Sequence, residues 1–402
     1  MPKCNFCQSE LTHIVVDLGH QPPSNSFLTK GQLLEPEVYY PLATYVCDNC
    51  WLMQVPETKA AKDIFSEQYP YFSSESPGNV SHAKKYVDMI MERFDPRSVL
   101  EIGSNDGYML QWFKENVSIR GIEPSENCAK VAENKSIPTD IDFFGVDYAK
   151  DWKVSFDLIC GINVLAHQPD INDFVEGLRI ALVPDGVITM EFPHLFRTIE
   201  GTQFDQIYLE HFSYFSLTTI DKIFRKHGLE IFDVDELPEH GGSLRIYAQH
   251  TGQGKHEIEN SVYELIPLEE IMGIKELGYY QDFGNRVKLI KHEFMDWIYT
   301  TKACGETVVA YGAAAKANTF LNYCGVTPDL IPYIVDRSPH KQGSYCPGSH
   351  IPVVGEEIIK TLQPDYVLIT AWNLKNEIMK QLEYTRGWKG KFIIAIPELE
   401  VF

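Results

Sequence analysis

The stretch Val99-Leu100-Glu101-Ile102-Gly103-Ser104-Asn105-Asp106-Gly107-Tyr108-Met109-Leu110 decides the fold of this chain. Its first four residues have the pattern of a buried strand, and the glycines at 103 and 107 bound a tight loop. An apolar face on Met109, Trp112 and Phe113 predicts a helix over 107–116. Glycine lets the backbone turn sharply and lets a ligand approach without a Cβ in the way. The stretch therefore predicts a strand–turn–helix unit whose turn and first helical amides face a ligand.

A loop of this kind can bind either of two cofactors, a dinucleotide or S-adenosylmethionine. A dinucleotide fold requires G-x-G-x-x-G, and Asn105 and Tyr108 stand where its second and third glycines would fall. An acidic strand end followed by G-S-N-D-G instead resembles the methionine-end loop of class I S-adenosylmethionine (SAM) methyltransferases. A second strand ends in Gly121-Ile122-Glu123-Pro124, where a carboxylate can accept from both ribose hydroxyls. SAM is the expected cofactor, and an unrelated α/β domain with a glycine turn is the alternative. The expected cofactor contacts are Glu101, Gly103, Ser104, Asn105, Gly107, Glu123 and Asn163.

Length and composition limit the class of protein. A chain of 402 residues with 44% apolar residues predicts two or three domains with ample cores. A net charge of -21 argues against nucleic acid or an anionic membrane surface as the main partner. The sequence contains no signal segment and no run of about 18 apolar residues, which predicts a soluble, cytoplasmic protein. Nine cysteines in a long chain do not suggest a disulfide framework.

Two C-x-x-C knuckles lie near the N-terminus. Cys4 with Cys7, and Cys47 with Cys50, can each chelate one face of a tetrahedral ion. Four thiolates fill the coordination shell of zinc, so the predicted site is structural rather than catalytic. Free thiols packed as small hydrophobes are the alternative, and iron fits the same ligands. A small unit with such a metal does not need a large core to fold.

Alternating strands and helices organise the rest of the chain. Strands at 98–102, 118–123 and 156–161 alternate with helices, which predicts a parallel sheet with ligands at the carboxyl ends of its strands. Two closing strands are expected at about 229–235 and 243–249. A strongly helical segment over about 256–300 precedes a second α/β unit without G-x-G-x-x-G. The expected domains are 1–80 (zinc-binding), 81–252 (SAM-binding) and 253–402 (a helical linker and a Rossmann-like domain).

Polar side chains follow two strands of the SAM-binding unit. His167 lies just after the strand at 156–161, and the run Asp205 to Phe215 crosses the same rim. Carbon methylation requires a base that removes an acidified C–H beside a carbonyl, and histidine has a suitable pKa. Glu210 is a candidate partner for the His211 ring or the substrate, and Tyr208 and Tyr214 are candidates for supporting an enolate oxygen. Solvated or merely packed side chains are the alternative for each.

The motifs also occur together, in order, along almost the whole chain. They are the paired knuckles, E-I-G-S-N-D-G, N-V-L-A-H, D-Q-I-Y-L-E-H-F-S-Y-F, H-G-G-S-L-R and Y-G-A-A-A-K-A-N-T. In this combination the chain resembles the nucleotide-sugar C-methyltransferases of deoxysugar biosynthesis. The resemblance implies a zinc-binding domain, a SAM domain and a C-terminal Rossmann-like domain. It also implies methylation at C-3 of a TDP-linked 4-keto-6-deoxy sugar, although GDP is equally compatible with the sequence.

The resemblance assigns roles to individual residues. His211 would remove the C-3 proton, Tyr208 and Glu210 would hold the sugar, and His167 would lie near the sugar or its keto oxygen. A tyrosine of the Tyr69-Pro70-Tyr71 segment would close the site, with Tyr71 preferred. The candidates for contact with the substrate, including its diphosphate, are Tyr214, Ser243, Arg245, Lys316 and Asn318.

Two rival functions remain open from the sequence. The first is O- or N-methylation of a sugar by an enzyme of the same fold. The second is a non-catalytic zinc-ribbon binding protein with a vestigial SAM loop. A nicotinamide role for the C-terminal unit is disfavoured because its G-A-A-A-K loop lacks the required glycine spacing.

Overall fold

A computed structural model describes residues 1–64, 69–151 and 155–402 of the chain. In chain order its strands are β1 (His13–Gln21), β2 (Tyr40–Val46), β3 (Met53–Gln54), β4 (Ser98–Ile102), β5 (Ser118–Ile122), β6 (Thr139–Asp140), β7 (Phe156–Ile162), β8 (Leu182–Pro193), β9 (Ser213–Tyr214), β10 (Leu229–Leu237), β11 (Ser243–His250), β12 (Val308–Tyr311), β13 (Ile334–Val335), β14 (Val353–Val354), β15 (Tyr366–Ile369), β16 (Lys391–Ile394) and β17 (Glu400–Val401). The α-helices are α1 (Ala61–Ile64), α2 (Pro77–Phe94), α3 (Glu126–Asn134), α4 (Val146–Asp151), α5 (Ile171–Ala181), α6 (Leu195–Glu200), α7 (Leu217–Lys226), α8 (Asn260–Ile271), α9 (Leu277–Ala303), α10 (Ala315–Cys324), α11 (Glu357–Leu362) and α12 (Lys375–Gln381).

The central sheet is the one predicted from the glycine turn. Its strand order is β10-β11-β8-β7-β4-β5-β6, with β4 to β8 parallel and the β10–β11 hairpin antiparallel at one edge. β4 and β5 are neighbours, so their carboxyl ends, and the turns that follow them, meet at the same edge of the sheet. This edge is where the expected cofactor residues converge.

Two smaller sheets flank the central one. The N-terminal sheet is antiparallel, in the order β1-β2-β3-β9, so it takes its last strand from the segment 213–214. The C-terminal sheet has the order β14-β13-β12-β15-β16-β17 and is parallel except for β17. The long helix α9 packs against β1 so closely that a Cβ on Gly284 would lie 2.3 Å from the Val15 carbonyl oxygen. One apolar core therefore joins the N-terminal sheet, α9 and the C-terminal sheet.

Local sequence signals set several helix ends. Ser76 accepts a hydrogen bond from the Asn79 amide and Pro77 occupies the first position of α2, as expected at a helix N-terminus. Ser216 caps α7 in the same way. These caps fix where the helices start beside the central sheet.

Two local predictions are wrong. The helix expected at 107–116 is only a short 3-10 helix, Leu110–Trp112. Tyr108, Met109 and Leu110 are all buried, and three consecutive buried side chains do not fit the one apolar stripe of an amphipathic surface helix. The sequence Val183-Pro184-Asp185-Gly186 also predicts a turn from its Pro and Gly, but these residues lie within the long strand β8. The cofactor turn consequently lacks the long helix N-terminus that the sequence suggested.

Candidate active site

The glycine turn after β4 is held in an unusual backbone conformation. Gly103 and Gly107 have φ values of +67° and +75°, and Asn105 between them is also left-handed at +49°. A Cβ on Gly107 would approach the Ile137 Cδ1 atom to 2.5 Å. The left-handed conformation therefore favours glycine at 107, and a Cβ there would also force the Ile137 side chain to move.

The carboxylate after β5 orders this turn. One oxygen of Glu123 accepts from the Asn105 amide at 3.0 Å, and the other accepts from the Ser125 amide at 2.8 Å. Each oxygen retains a second lone pair for a ligand hydroxyl. Burial raises the pKa of the Glu123 carboxyl, which is 5% exposed. Its position fits the role expected for it on the ribose.

Unpartnered polar atoms mark the same edge of the sheet. Buried polar groups normally have partners, so a cluster of such atoms at strand ends points to a missing ligand. Burial also raises the pKa of the Glu101 carboxyl well above its ordinary value, and a cation beside it would reverse that effect. SAM carries both an ammonium and a sulfonium, so the site fits this cofactor. The buried atoms without a partner among the described residues include Glu101 Oε2, Ser104 Oγ, Asp106 Oδ1, Ser125 Oγ and Asn163 Oδ1.

Two histidine rings lie edge to face beyond this turn. The ring centroids of His167 and His211 are 4.7 Å apart. Nδ1 of His211 is 2.9 Å from the Gln206 carbonyl oxygen, and Nδ1 of His167 is 2.7 Å from the Glu210 carbonyl oxygen. A carbonyl only accepts, so both rings carry their proton on Nδ1 and present Nε2 as a lone pair.

Burial keeps both imidazoles neutral. It lowers the pKa of His167 to about 4, and it lowers the pKa of His211 well below the usual range. The neighbouring His167 and His240 rings lower the pKa of His211 further, because two imidazolium charges would repel. His211 therefore has a free lone pair at neutral pH.

Tyrosines surround the His211 ring. The Tyr208 ring lies at 3.9 Å from it, inclined by 34°, and the Tyr214 ring lies at 6.0 Å. The Tyr214 hydroxyl donates to the Gln206 carbonyl oxygen at 3.5 Å. Burial raises the pKa of both phenols, so they remain hydrogen-bond donors.

Glu210 lies beside the histidines and is 1% exposed. Both its oxygens accept from the Asn25 amide at 2.9 Å, and one accepts from the Tyr69 hydroxyl at 3.3 Å. Burial raises the pKa of this carboxyl to about 7, although these hydrogen bonds oppose the rise. Tyr69 is thus the tyrosine in direct contact with Glu210, whereas the Tyr71 hydroxyl accepts from Asn79 at 2.8 Å. Tyr71 is still near enough to Tyr208 that a phenolate at Tyr71 would raise the pKa of the Tyr208 hydroxyl.

The other predicted substrate contacts do not all reach the rim. Asn318 is fully buried and donates to the Ser24 carbonyl oxygen at 2.7 Å, so it ties α10 to the N-terminal unit. Arg245 donates to Glu191 at 2.9 Å. The Ser243 hydroxyl donates to the Glu239 carbonyl oxygen at 3.0 Å.

Lys316 lies in a polar cluster at the junction with the C-terminal unit. Its Nζ donates to Asn373 at 2.6 Å and lies 5.1 Å from the centre of the Trp372 ring. The Trp372 indole donates to Asp205 at 2.8 Å. Burial raises the pKa of Asp205 to about 6, and the Lys316 charge opposes this rise. The sequence indicated Asp205 only as the first residue of the rim segment and gave no sign of Trp372, because only the folded chain brings the two together.

A cavity of about 580 Å³ opens beside this cluster, between the β10–β11 hairpin and the C-terminal sheet. Its wall contains two cationic side chains, Arg197 and Lys375, and the backbone of the glycine pair 241–242. The cavity is large enough for a small organic ligand.

The four knuckle sulfurs form a separate, compact cluster. All lie within 4.8 Å of one another, with Cys4 3.5 Å from Cys50 and Cys7 3.5 Å from Cys47. Zinc–sulfur bonds of about 2.3 Å in a tetrahedron place sulfurs about 3.8 Å apart, so the cluster fits one zinc ion.

Comparison with known proteins agrees with this geometry. The family model described as "Putative zinc binding domain" matches residues 4–65, "Methyltransferase domain" matches 81–234, and "C-methyltransferase C-terminal domain" matches 238–397. The fold and site thus define a SAM-dependent methyltransferase with an N-terminal zinc-binding domain.

A relative that matches almost the whole chain identifies the family. C-methyltransferase NovU from Streptomyces niveus is 32% identical over 406 aligned positions, covering 99% of this chain and 96% of that protein. The chain therefore belongs to the C-methyltransferase family that includes NovU. The SAM cofactor, the zinc-binding domain and the α/β fold expected from the sequence are confirmed.

Two further similarities are partial. The tRNA U34 carboxymethyltransferase of Nautilia profundicola is 32% identical over 101 positions, which cover 24% of this chain and 34% of that protein. A solved SAM-dependent methyltransferase from Clostridium acetobutylicum is 11% identical, covers 43% of this chain and 92% of its own, and has a TM-score of 0.37. Among the described residues, no helix is long and apolar enough to cross a membrane.

Proposed function

We propose that this C-methyltransferase acts on C-3 of a nucleotide-linked 4-keto-6-deoxy sugar and uses His211 as the base. The observation that carries the proposal is the hydrogen bond from His211 Nδ1 to the Gln206 carbonyl oxygen, 2.9 Å long. This bond fixes the proton on Nδ1, so Nε2 is the atom that can accept a proton from carbon. A base that is already neutral needs no prior deprotonation at pH 7.

The ketone at C-4 makes the C-3 proton acidic enough for such a base. His211 Nε2 takes the proton, and the Tyr208 ring beside it limits how the imidazole can tilt. Glu210 and His167 hold the sugar against this edge, and Tyr69 or Tyr71 covers it. SAM supplies, when bound, the sulfonium methyl group that becomes attached to C-3. Holding both reactants in one orientation accounts for much of the acceleration expected.

The nucleotide end of the substrate fits the junction with the C-terminal unit. A diphosphate needs a local cationic site because the chain carries a net charge of -21. Lys316 lies beside the 580 Å³ cavity, and Arg197 and Lys375 line it. Arg197 is paired with Glu236 at 2.6 Å and Lys375 with Glu400 at 3.0 Å, so a bound diphosphate would compete with these carboxylates. The three sheets also support our proposed division of the chain into domains at 1–80, 81–252 and 253–402.

The direct test uses a panel of TDP- and GDP-linked 4-keto-6-deoxy sugars deuterated at C-3. With SAM, mass spectrometry should find one added methyl group and loss of the deuterium on at least one sugar. O- or N-methylation would keep the deuterium, so a methylated product that retains it would refute the C-3 assignment.

The base is tested by substituting His211→Asn. Transfer should fall by at least 100-fold, in line with loss of a general base. SAM affinity, measured by calorimetry, should stay close to the wild-type value. The exposed His292 on α9 provides a matched control, since His292→Asn should leave both unchanged. Wild-type turnover by the His211 variant would remove it as the base.

A further inference from the structure

His240 occupies a strained position beside the proposed sugar site. It lies in the turn between β10 and β11 with φ at +55°, a left-handed conformation that is rare for histidine. The strain is held by neighbours, because Gln206 donates to the His240 carbonyl oxygen at 3.0 Å and Gln203 donates to the Gly241 carbonyl oxygen at 2.8 Å. Strain of this kind is concentrated at functional sites.

A second left-handed residue contacts the His240 ring. Asn163, with φ at +58°, follows β7, and its Nδ2 lies 3.1 Å from His240 Nε2. With the amide nitrogen donating, Nε2 is the acceptor and the imidazole proton must be on Nδ1. His211 uses its Nδ1–H internally and leaves a lone pair free, whereas His240 uses its lone pair internally and leaves its N–H free. His211 can therefore accept a proton, whereas His240 can donate a hydrogen bond.

The surroundings place His240 between the two ends of the proposed substrate. Gln206 links it to the base, because the Gln206 side-chain amide donates to the His240 carbonyl oxygen at 3.0 Å and the Gln206 carbonyl oxygen accepts from His211 Nδ1 at 2.9 Å. On the other side, a Cβ on Gly241 would lie 2.3 Å from the Trp372 ring, and Lys316 Nζ lies 5.1 Å from the centre of that ring. The cavity is lined by residues on both sides of His240 in the chain, Pro238 and Gly241. A sugar nucleotide bound from this junction to His211 would therefore lie close to the turn that carries His240.

We propose that His240 is a further catalytic residue, which donates its Nδ1–H to the C-4 oxygen of the sugar, and that Asn163 is the positioning residue that fixes this donor. The inference rests on the proposed C-3 methylation. When the C-3 proton moves to His211 Nε2, the electron pair of the C–H bond forms a double bond between C-3 and C-4. The π pair of the carbonyl moves onto the C-4 oxygen, and His240 stabilises that charge while keeping its own proton. The C-3–C-4 π pair then forms the C-3–methyl bond while the oxygen pair restores the carbonyl. The electrons of the broken sulfur–methyl bond stay on sulfur, which leaves as S-adenosylhomocysteine.

A neutral imidazole suits this task. Burial, with a contribution from Lys316, lowers the pKa of His240 to about 4, so the ring is uncharged at neutral pH. Neutral histidine is known to polarise a carbonyl in other enzymes that form enolates. Its N–H is closer in acidity to an enol than an imidazolium would be, and it does not add a second charge beside His211.

The test follows C-3 deuterium exchange from a TDP-linked 4-keto-6-deoxyhexose in the presence of S-adenosylhomocysteine, so that no methyl transfer occurs. His240→Asn keeps an N–H near the Nδ1 position, and asparagine tolerates the left-handed backbone. His240→Asp has the same shape but only accepts hydrogen bonds. We expect the Asn variant to exchange within 10-fold of wild type and the Asp variant to be slower by at least 100-fold, the loss typical of an oxyanion donor.

Two further variants complete the design. His240→Gly, which also suits a left-handed backbone, should be as slow as His240→Asp and should bind SAM like wild type. Asn163→Gly should weaken exchange by about 10-fold and change the ¹⁵N shift of His240 Nε2, which a merely structural role would leave unaltered. If the Asn and Asp variants exchange equally, or His240→Gly exchanges within twofold of wild type, the inference is wrong. If wild-type protein does not exchange any sugar of the panel, the proposed function itself has failed.

Discussion

Replacing Glu210 by glutamine should stabilise the protein at alkaline pH while it impairs transfer. Glu210 is almost fully buried, and burial raises its pKa to about 7 from an ordinary value of 4.5. A raised carboxyl pKa means that the folded chain binds the proton more tightly than the unfolded chain does. The stabilisation from this proton is complete below pH 4.5 and is lost as the pH rises through 7.

The size of the effect follows from the two pKa values. Their separation, at 1.36 kcal/mol per pH unit, corresponds to about 3 kcal/mol of folding free energy lost by wild type above pH 7. Glutamine imitates the protonated acid and avoids this loss. It also places an N–H₂ group where the carboxylate accepts from Asn25, and the hydrogen bond lost there costs about 1 kcal/mol. The glutamine variant should therefore be more stable than wild type by about 2 kcal/mol of unfolding free energy at pH 9.

Urea unfolding of both proteins at pH 5, 7 and 9 tests this reasoning. The variant should match or fall slightly below wild type at pH 5 and exceed it at pH 9. Glu293→Gln, on the exposed face of α9, is the control and should show no pH-dependent difference. A stability difference between the Glu210 variant and wild type that does not change with pH would refute the burial argument. Transfer activity should fall at every pH, because Glu210 is proposed to hold the sugar.

Three further predictions concern other parts of the site. Gly107→Ala should lower the free energy of unfolding by about 1–3 kcal/mol and weaken SAM binding at least 10-fold, because the left-handed backbone and the Ile137 side chain both oppose a Cβ. Calorimetry measures the affinity for SAM, and an unchanged affinity would contradict the packing argument. Cys47→Ser should lower the bound zinc below about one equivalent per chain and lower the unfolding temperature, whereas Cys304→Ser, at an exposed cysteine, should do neither. Metal analysis measures the zinc and calorimetry measures the unfolding temperature. Full zinc occupancy in the Cys47 variant would contradict the proposed ligand set. Tyr69→Phe removes a hydrogen-bond donor to the Glu210 carboxylate and should lower kcat/KM by about 10-fold or more. Steady-state kinetics should detect this decrease, and an unchanged kcat/KM would exclude Tyr69 from the site.

Much of the fold could be predicted because parallel sheets leave strong local signals. Apolar strands between helices, and turns with required glycines, identified β4, β5 and β7 and the closing hairpin. The same local signals gave a wrong prediction for the segment after the glycine turn, where a helix was expected. Its apolar residues satisfied a helical period, yet the same residues are buried on several sides at once, which depends on what packs around them.

The site could be predicted only as far as strand topology brings residues together. His167 and His211 follow different segments of the chain, and their approach to 4.7 Å follows from both lying at one edge of the sheet. Sequence pattern could not distinguish Tyr69 from Tyr71, since the choice depends on which hydroxyl reaches Glu210. Asn318 fits a phosphate-binding helix start by sequence, but its side chain is directed to the Ser24 carbonyl. The sequence did not single out His240, because its left-handed backbone and its contact with Asn163 arise only in the folded chain.

The zinc cluster and the proposed base are mechanically connected, although they belong to different units. Cys47 and Cys50 lie in the turn that joins β2 to β3, and β3 pairs with β9 through Met53 and Tyr214. His211 lies two residues before β9, and the Val55 amide donates to the Phe212 carbonyl oxygen at 3.0 Å. The metal therefore anchors the strand against which the segment carrying the base is aligned. Loss of zinc should lower kcat even where SAM still binds, because the glycine turn belongs to the central sheet and the base is aligned by the N-terminal one.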